Sequence, residues 1–429
     1  MIVIYKTVKE SGILDRKKYV GFIFLILCFF TYLSSYLLRT NISRELGNIG
    51  EELNIGSDKL GVFGSGFFIV YAIGQFISGI VGDRTKEYRH LAITIFSCAA
   101  LNFGMTVVGG YVPMVVIWIA NGFAESMVWG VLLRTLLKHI IDDVKLRSYA
   151  SLIMALGGPI GYLLSWSVIS PALSGYGWRA SFIFPAVAAV PVIIAWFVLY
   201  LRKARHKEEK KSETQTRSLK EMLQVAKREK LAKYAVVCVF EGMIRDSVVF
   251  WAPILIGRIF VKDSSLTLTI IPLSMIVGQI IARTVGTKAK NNFIRSLSLI
   301  MLGIVISSVA MILLKNAIVS AIIMGIDIIL TQTISSSMTV VVPIAYVKEN
   351  MTAFVAGFMD ASHYLGAAIA SFGLGVVLTG DNWEPAVLVW LLTSVAGLIY
   401  CLTVLPERRG EKNDGDQDDN RAARQKKFA

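Results

Sequence analysis

Charge is scarce in this 429-residue chain: Asp, Glu, Lys and Arg make up 17% of it, against about a quarter in an ordinary soluble domain. With 55% hydrophobic residues and a mean hydropathy of +0.61, that shortage excludes a water-soluble globular protein. Cysteine is scarce too. Cys28, Cys98, Cys238 and Cys401 lie in separate apolar runs, without the short spacings of a metal site or redox pair. They read as small buried hydrophobes, and neither a metal nor any other cofactor is expected. Of the few histidines, His90, His139 and His206 fall at or beyond the ends of apolar runs. No nucleophile–base pair follows, so an enzyme is not expected. The Gly-rich stretches "GVFGSGFF" (61–68) and "GGPIG" (157–161) lack a following Gly-Lys-Ser/Thr, which speaks against a nucleotide-binding loop and ATP-driven work. Small residues there fit close helix contacts instead, with Pro159 bending its helix. No small-residue cleavage pattern precedes Arg39, so no cleavable signal peptide is expected.

What is present in quantity is apolar sequence of membrane-crossing length. Hydropathy marks spans at 19–43, 58–82, 89–108, 112–137, 147–170, 178–201, 234–258, 266–286, 296–314, 317–341, 352–378 and 385–405, an all-α membrane protein of about twelve helices. The formal net charge of +14 is concentrated in alternate connections, at Arg16–Lys18, Arg84–Arg89, Lys138–Arg147, Arg202–Lys233, Lys288–Arg295 and from Arg408 onward. This positive-inside asymmetry predicts both termini in the cytoplasm. It is topology rather than a nucleic-acid footprint. The expected organisation is a cytoplasmic leader (1–18), a six-helix bundle (19–201), a linker (202–233), a second six-helix bundle (234–405) and a disordered tail (406–429). Within the linker, Ser218 and Glu221 form a possible capping box. Leu219, Met222, Leu223 and Ala226 follow at helical spacing, which predicts an interfacial helix.

Ionisable residues inside spans are costly in lipid and normally face a water path or a partner. They are Arg39, Glu125, Arg134, Glu241, Arg245, Asp246, Asp327, Asp360 and His363. Tyr32, Tyr36, Arg39 and Ser43 share one helical face. A guanidinium offers a planar fork of donors to an anion, and Arg39 and Arg245 sit in corresponding spans of the two halves. Yet Arg39 lies roughly 30 Å along its span, near the surface of a straight helix, and Glu241 is placed for an intrahelical pair with Arg245. Snorkelling and anion binding both remain open at this level. Asp360 and His363 stand one turn apart beside Tyr364, as a proton relay or a packing pair.

The loop "GIVGDRTKEYR" resembles the signature of the major facilitator superfamily, with its Gly-x-x-x-Asp-Arg part intact. "YLLRTN", "NGFAESMVWGVLLRT", "GYGWRASFIFPA" and "IRDSVVFWAPIL" resemble the organophosphate:phosphate antiporters, the glycerol-3-phosphate and hexose-phosphate type. The resemblance implies two pseudo-symmetric bundles rocking about a central site. It implies that Arg39 and Arg245 bind the phosphoryl group, with Tyr32, Tyr36, Tyr71 and Tyr364 lining the cavity. Gly79, Asp83 and Arg84 would belong to the conformational loop. Two features depart from the family: Gln75 replaces its second-span lysine and Met154 its fifth-span histidine. Glu125 matches a proton-coupling glutamate of the related anion:cation symporters, which carry sugar acids.

The expected function is secondary transport of a small organic anion, foremost a phosphorylated metabolite, across the cytoplasmic membrane. Proton-coupled symport of a carboxylate or sugar acid is the alternative, and sensing of an external sugar phosphate a lesser one. Expected partners are the anion, inorganic phosphate or protons as coupling species, and the lipid bilayer. Nucleic acid is not among them, and a monomer suffices.

Overall fold

The computed structural model describes residues 15–82, 86–140, 144–205, 218–259, 264–288, 293–314, 316–347, 349, 351–378 and 383–404. Every regular element among them is helical, as lipid demands of a chain whose backbone groups must find partners within their own segment. The elements that matter below are α1 (Asp15–Leu53), α2 (Ser57–Gly82), α3 (Glu87–Val107), α4 (Tyr111–Ser126), α5 (Trp129–His139), α6 (Val144–Ala155) and α7 (Gly157–Leu164). They continue with α8 (Ala180–Ala188), α9 (Val190–Arg205), α10 (Leu219–Arg228), α11 (Leu231–Ile259) and α12 (Ser264–Lys288). The last are α13 (Phe293–Leu314), α14 (Ala317–Ser336), α15 (Thr352–Val377) and α16 (Glu384–Thr403).

Among the described residues, 9 segments are long and apolar enough to cross a membrane. Three more helices, α11, α12 and α15, have 29, 25 and 26 residues. Two of these are diluted by polar groups: Glu241, Arg245 and Asp246 on α11, Asp360 and His363 on α15. The twelve spans read from hydropathy are therefore all helical, and the three weakest signals include the helices richest in buried charge.

Polarity is inverted relative to a soluble protein. On α2, Ile69, Ile73 and Ile77 form an exposed stripe at i, i+4 and i+8, whereas Tyr71 and Gln75 are buried. Apolar side chains meet lipid and polar ones meet each other. All four cysteines are free and buried.

Glycines set how closely the helices approach. A Cβ at Gly357 of α15 would lie 2.6 Å from the Gln75 carbonyl oxygen of α2, and one at Gly79 would lie 3.1 Å from that of Ala353. Near the other end of the same helix pair, a Cβ at Gly61 would lie 3.2 Å from the Gly375 Cα. The α2–α15 contact therefore runs nearly the full length of both helices. Cβ atoms at Gly157 and Gly158 of α7 would likewise meet α1, 3.0 Å from the Phe29 carbonyl oxygen and 2.9 Å from the Tyr36 ring. The structural reading of both Gly-rich stretches accounts for these contacts.

Four spans are less regular than hydropathy implies, the sixth breaking at Ala189 between α8 and α9. The run over 112–137 breaks between α4 and α5, and the His90 Nε2 lies 3.0 Å from the Met127 carbonyl oxygen at the break. The fifth span restarts at Gly157, two residues before Pro159, and passes into a π-turn over Ser165–Ile169. A second π-turn covers Ser337–Val341; such turns mark places where helix register shifts. The capping box before α10 is formed, with the Glu221 N–H donating to Ser218 Oγ (3.3 Å) and the Ser218 N–H to Glu221 Oε2 (3.0 Å). Met222, Val225 and Ala226 are buried against the chain, while Leu223 faces outward.

Candidate functional site

The site begins with the length of α1. The helix does not stop near Arg39 but continues to Leu53, 39 residues in all, or about 58 Å. Arg39 is therefore well inside the helix and 8% exposed, which rules out snorkelling. The apolar run ended early in the sequence because the residues beyond Arg39, such as Asn41, Glu45 and Asn48, are polar. Those residues turn into the first half, where Asn41 Nδ2 donates to Asn102 Oδ1 (2.8 Å) and Asn48 Nδ2 to Glu45 Oε2 (2.6 Å).

The Arg39 guanidinium lies over the Tyr36 ring, 4.1 Å from its centroid, and 5.3 and 5.6 Å from those of Tyr71 and Tyr364. Its Nη2 donates to the Tyr364 hydroxyl at 2.8 Å. Aromatic faces attract a cation, but they do not neutralise it. Among the described residues no carboxylate lies within ion-pair distance of Arg39. Tyr32 donates to the Tyr36 hydroxyl (3.2 Å) and packs on Trp129 of α5.

Arg245 stands in the opposite electrostatic situation. Its Nε is 3.5 Å from Glu241 Oε1, one turn away, and its Nη2 is 3.2 Å from Asp246 Oδ1. Nη1 donates to Ser335 Oγ (2.6 Å) and Gln332 Oε1 (3.3 Å) of α14. His363 of α15 completes the cluster, its Nδ1 2.5 Å from Glu241 Oε2 and its Nε2 2.6 Å from Asp246 Oδ2. Asp360 instead accepts from Gln75 Nε2 of α2 (2.7 Å), which also donates to the Tyr71 hydroxyl (3.2 Å).

One cavity joins these groups. It is lined by Tyr32, Tyr36, Arg39, Arg245, Asp360 and Tyr364 of the sequence-derived set, together with Asp246. Its free volume of about 40 Å³ holds roughly three waters. Any larger solute requires the helices around it to separate. Tyr71 stands behind the wall, its ring centroid 4.0 Å from that of Tyr364. His363 and Glu125 are also outside the lining. Glu125 is fully buried; its Oε2 accepts from Ser35 Oγ and its Oε1 has no hydrogen-bond partner. Met154 is buried. Gly79 lies on the α2–α15 contact, and Asp83 and Arg84 lie outside the described residues.

Sequence reasoning did not single out Trp129, Tyr162, Gln279, Gln332, Ser335 and Ser336, which also line the cavity. The spacing of Gln332, Ser335, Ser336 and Thr339 at i, i+3, i+4 and i+7 carries a usable signal: a polar stripe on one face of an apolar helix. Asp327 is buried elsewhere, accepting from Ser307 of α13. At the end remote from Lys138 and Arg202, Trp178 Nε1 (2.7 Å) and Arg179 Nη2 (2.7 Å) donate to the Glu52 carboxylate. These hydrogen bonds latch this part of "GYGWRASFIFPA" onto α1. No cluster of His, Cys, Asp and Glu suited to a metal occurs among the described residues.

Comparison with known proteins agrees with this architecture. The chain is 23% identical over 175 residues to a hexuronate transporter of Bacillus subtilis, an overlap of 40% of each protein. It is 26% identical over 174 residues to a probable hexose phosphate transport protein of Chlamydia muridarum, covering 40% of this chain and 36% of the relative. The chain thus spans about two fifths of the length of the curated relatives it matches. The solved structure of the xylose transporter XylE from E. coli superposes with a TM-score of 0.68 at 14% identity, covering 92% of this chain and all of that one. Residues 24–371 match the sequence profile of the Major Facilitator Superfamily, and the chain belongs to that superfamily.

Proposed function

We propose that the protein carries a small organic anion across the plasma membrane by alternating access, with residues 19–201 and 234–405 as the two rocking bodies. The basic loops face the cytoplasm, and so do both termini. Arg39 anchors the anionic group, Arg245 approaches it from the second half, and Tyr32, Tyr36 and Tyr364 shape the pocket. The observation that carries the reading is a buried guanidinium with no carboxylate partner among the described residues, set in a cavity shared by both halves. A buried charge left without a counter-ion is costly, and a substrate anion relieves that cost.

The charge inventory favours a monoanion of the sugar-acid type over a phosphate dianion. Arg245 already faces Glu241 and Asp246, and the positions of the antiporters' lysine and histidine hold Gln75 and Met154. Relatives named for hexuronate and for hexose phosphate make both classes worth testing. Proton coupling through Glu125 accompanies the sugar-acid reading, supported by a buried carboxylate whose hydrogen-bond donor is a serine rather than a cation. Proteoliposome uptake of labelled glucuronate under an imposed pH gradient, acid outside, is expected to exceed uptake of glucose 6-phosphate against internal phosphate. Uptake of neither solute above that of empty liposomes would refute the transport reading. Efficient glucose 6-phosphate exchange without a pH effect would favour the organophosphate alternative.

A further inference from the structure

We propose that Glu241, Asp246 and His363 form a proton-binding site that decides whether Arg245 is free to hold the transported anion. The inference rests on the anion-transport reading above and adds a coupling site distinct from Glu125. Its basis is geometric. Both ring nitrogens of His363 have a carboxylate oxygen at hydrogen-bond distance, Glu241 Oε2 at 2.5 Å from Nδ1 and Asp246 Oδ2 at 2.6 Å from Nε2. A neutral imidazole has one N–H and one lone pair, and a lone pair cannot bond to an ionised carboxylate. For both contacts to be hydrogen bonds, the arrangement needs one proton more than a neutral ring between two carboxylates.

Arg245 Nη2 lies 2.8 Å from the same Nε2, and this sets up a competition. With the extra proton, Nε2–H donates to Asp246, and Glu241, Asp246, His363 and Arg245 sum to zero charge. When that proton leaves, Nε2 presents a lone pair, which accepts from Arg245 Nη2. Asp246 Oδ2 loses its donor, and Asp246 depends on Arg245 alone. The four groups then carry a net charge of −1, and both His363 and Asp246 claim the guanidinium. Asp246 is thus an internal anion that competes with the substrate for Arg245. Because Asp246 lines the cavity and His363 does not, the proton has its way out past Asp246.

Among the described residues the charged groups facing the cluster are Asp360 and Arg39, both held by neutral partners, Gln75 and Tyr364. On α15 itself the neighbours are Asp360, held by Gln75, and Tyr364, held by Arg39. From α14, Gln332 and Ser335 accept from Arg245; α2 contributes Tyr71 and Gln75, and Trp390 of α16 donates to Ser247 on α11 (3.0 Å). Proton and anion consequently bind together, the sign required for symport.

The test is the affinity of the purified full-length chain for glucuronate and for inorganic phosphate, measured between about pH 10 and about pH 6, a window wide enough for an imidazole held between two carboxylates. Wild-type affinity is expected to rise as pH falls, by up to about tenfold per pH unit for one linked proton. In His363→Gln the slope should vanish. In Asp246→Asn it should flatten as well, with affinity at the alkaline end matching that of the wild type at the acid end. If His363→Gln fails to give a cooperative melt, Asp246→Asn decides alone. A wild-type slope retained in either variant overturns the inference, and so does a slope that disappears in Glu125→Gln while persisting in His363→Gln. Saturable but pH-independent wild-type binding also overturns it and leaves the transport reading intact. No saturable binding of either probe at any pH removes both.

Discussion

Replacing each cavity arginine by alanine should lower anion affinity in both cases and move stability in opposite directions. Arg39 makes one hydrogen bond to an uncharged hydroxyl and stacks on tyrosines, which leaves most of its five N–H donors for a ligand. Truncating one member of a buried hydrogen-bonded charge pair costs about 2–5 kcal/mol. At about 1.4 kcal/mol per tenfold, Arg39→Ala should weaken anion binding by about 30-fold to a few thousand-fold. The lower part of that range is expected, because Tyr36 and Tyr364 still offer hydroxyl donors. Without ligand, the same substitution removes a buried cation that has no carboxylate at ion-pair distance among the described residues, so the melting temperature should hold or rise. Arg245→Ala instead strands Glu241 and Asp246, and breaking such a buried cluster costs about 3–5 kcal/mol. The assay is a pair of measurements on each purified variant: a binding titration followed by Trp129 fluorescence, and a thermal melt without ligand. Arg39→Ala binding within threefold of the wild type would refute the assignment of Arg39 as anchor. A lower melting temperature in Arg39→Ala than in Arg245→Ala would refute the charge reasoning.

Glu125→Gln is expected to abolish accumulation of glucuronate driven by a pH gradient while leaving counterflow exchange detectable; undiminished gradient-driven accumulation would count against a coupling role. Gln75→Lys places an ammonium beside Asp360, whose Oδ2 now accepts from the amide at 2.7 Å, and should shift preference toward phosphate esters in competition uptake assays. Gly357→Val inserts a branched side chain where a Cβ alone would meet the Gln75 carbonyl oxygen at 2.6 Å. Transport should fall at least tenfold while anion binding persists, because the helices can no longer close at that end.

Legibility from sequence followed the kind of signal each feature leaves. The Tyr32–Tyr36–Arg39 face was readable because it is local: one helix, one periodicity. The depth of Arg39 was not, since the polar residues that carry α1 onward to Leu53 look like the end of a span until their partners on α3 are known. The hydroxyl-rich stripe on α14 and the π-turn after it is visible but uninformative alone, because Ser and Thr in such helices commonly satisfy their own backbone, as Thr339 does onto Ser335. The His363 cluster was out of reach. It joins Glu241 and Asp246, five residues apart on α11, to a ring on α15, and no spacing rule predicts that meeting. The opposite states of Arg39 and Arg245, one with no carboxylate at ion-pair distance among the described residues and one enclosed by carboxylates, likewise exist only in three dimensions.

The uninterrupted run of α1 through Arg39 to Glu52 has a mechanical consequence. The two residues are separated by roughly 20 Å of helix, with no break or π-turn between them. A tilt of about 10° pivoting at Arg39 sweeps the far end of such a rod by about 3.5 Å, more than the 2.7 Å contacts joining Glu52 to Trp178 and Arg179. Guanidinium and latch are therefore two points on one lever. A tilt of α1 within its own bundle would part Glu52 from Trp178 and Arg179, so this contact holds the helix, and with it the Arg39 guanidinium, in register with the rest of residues 19–201.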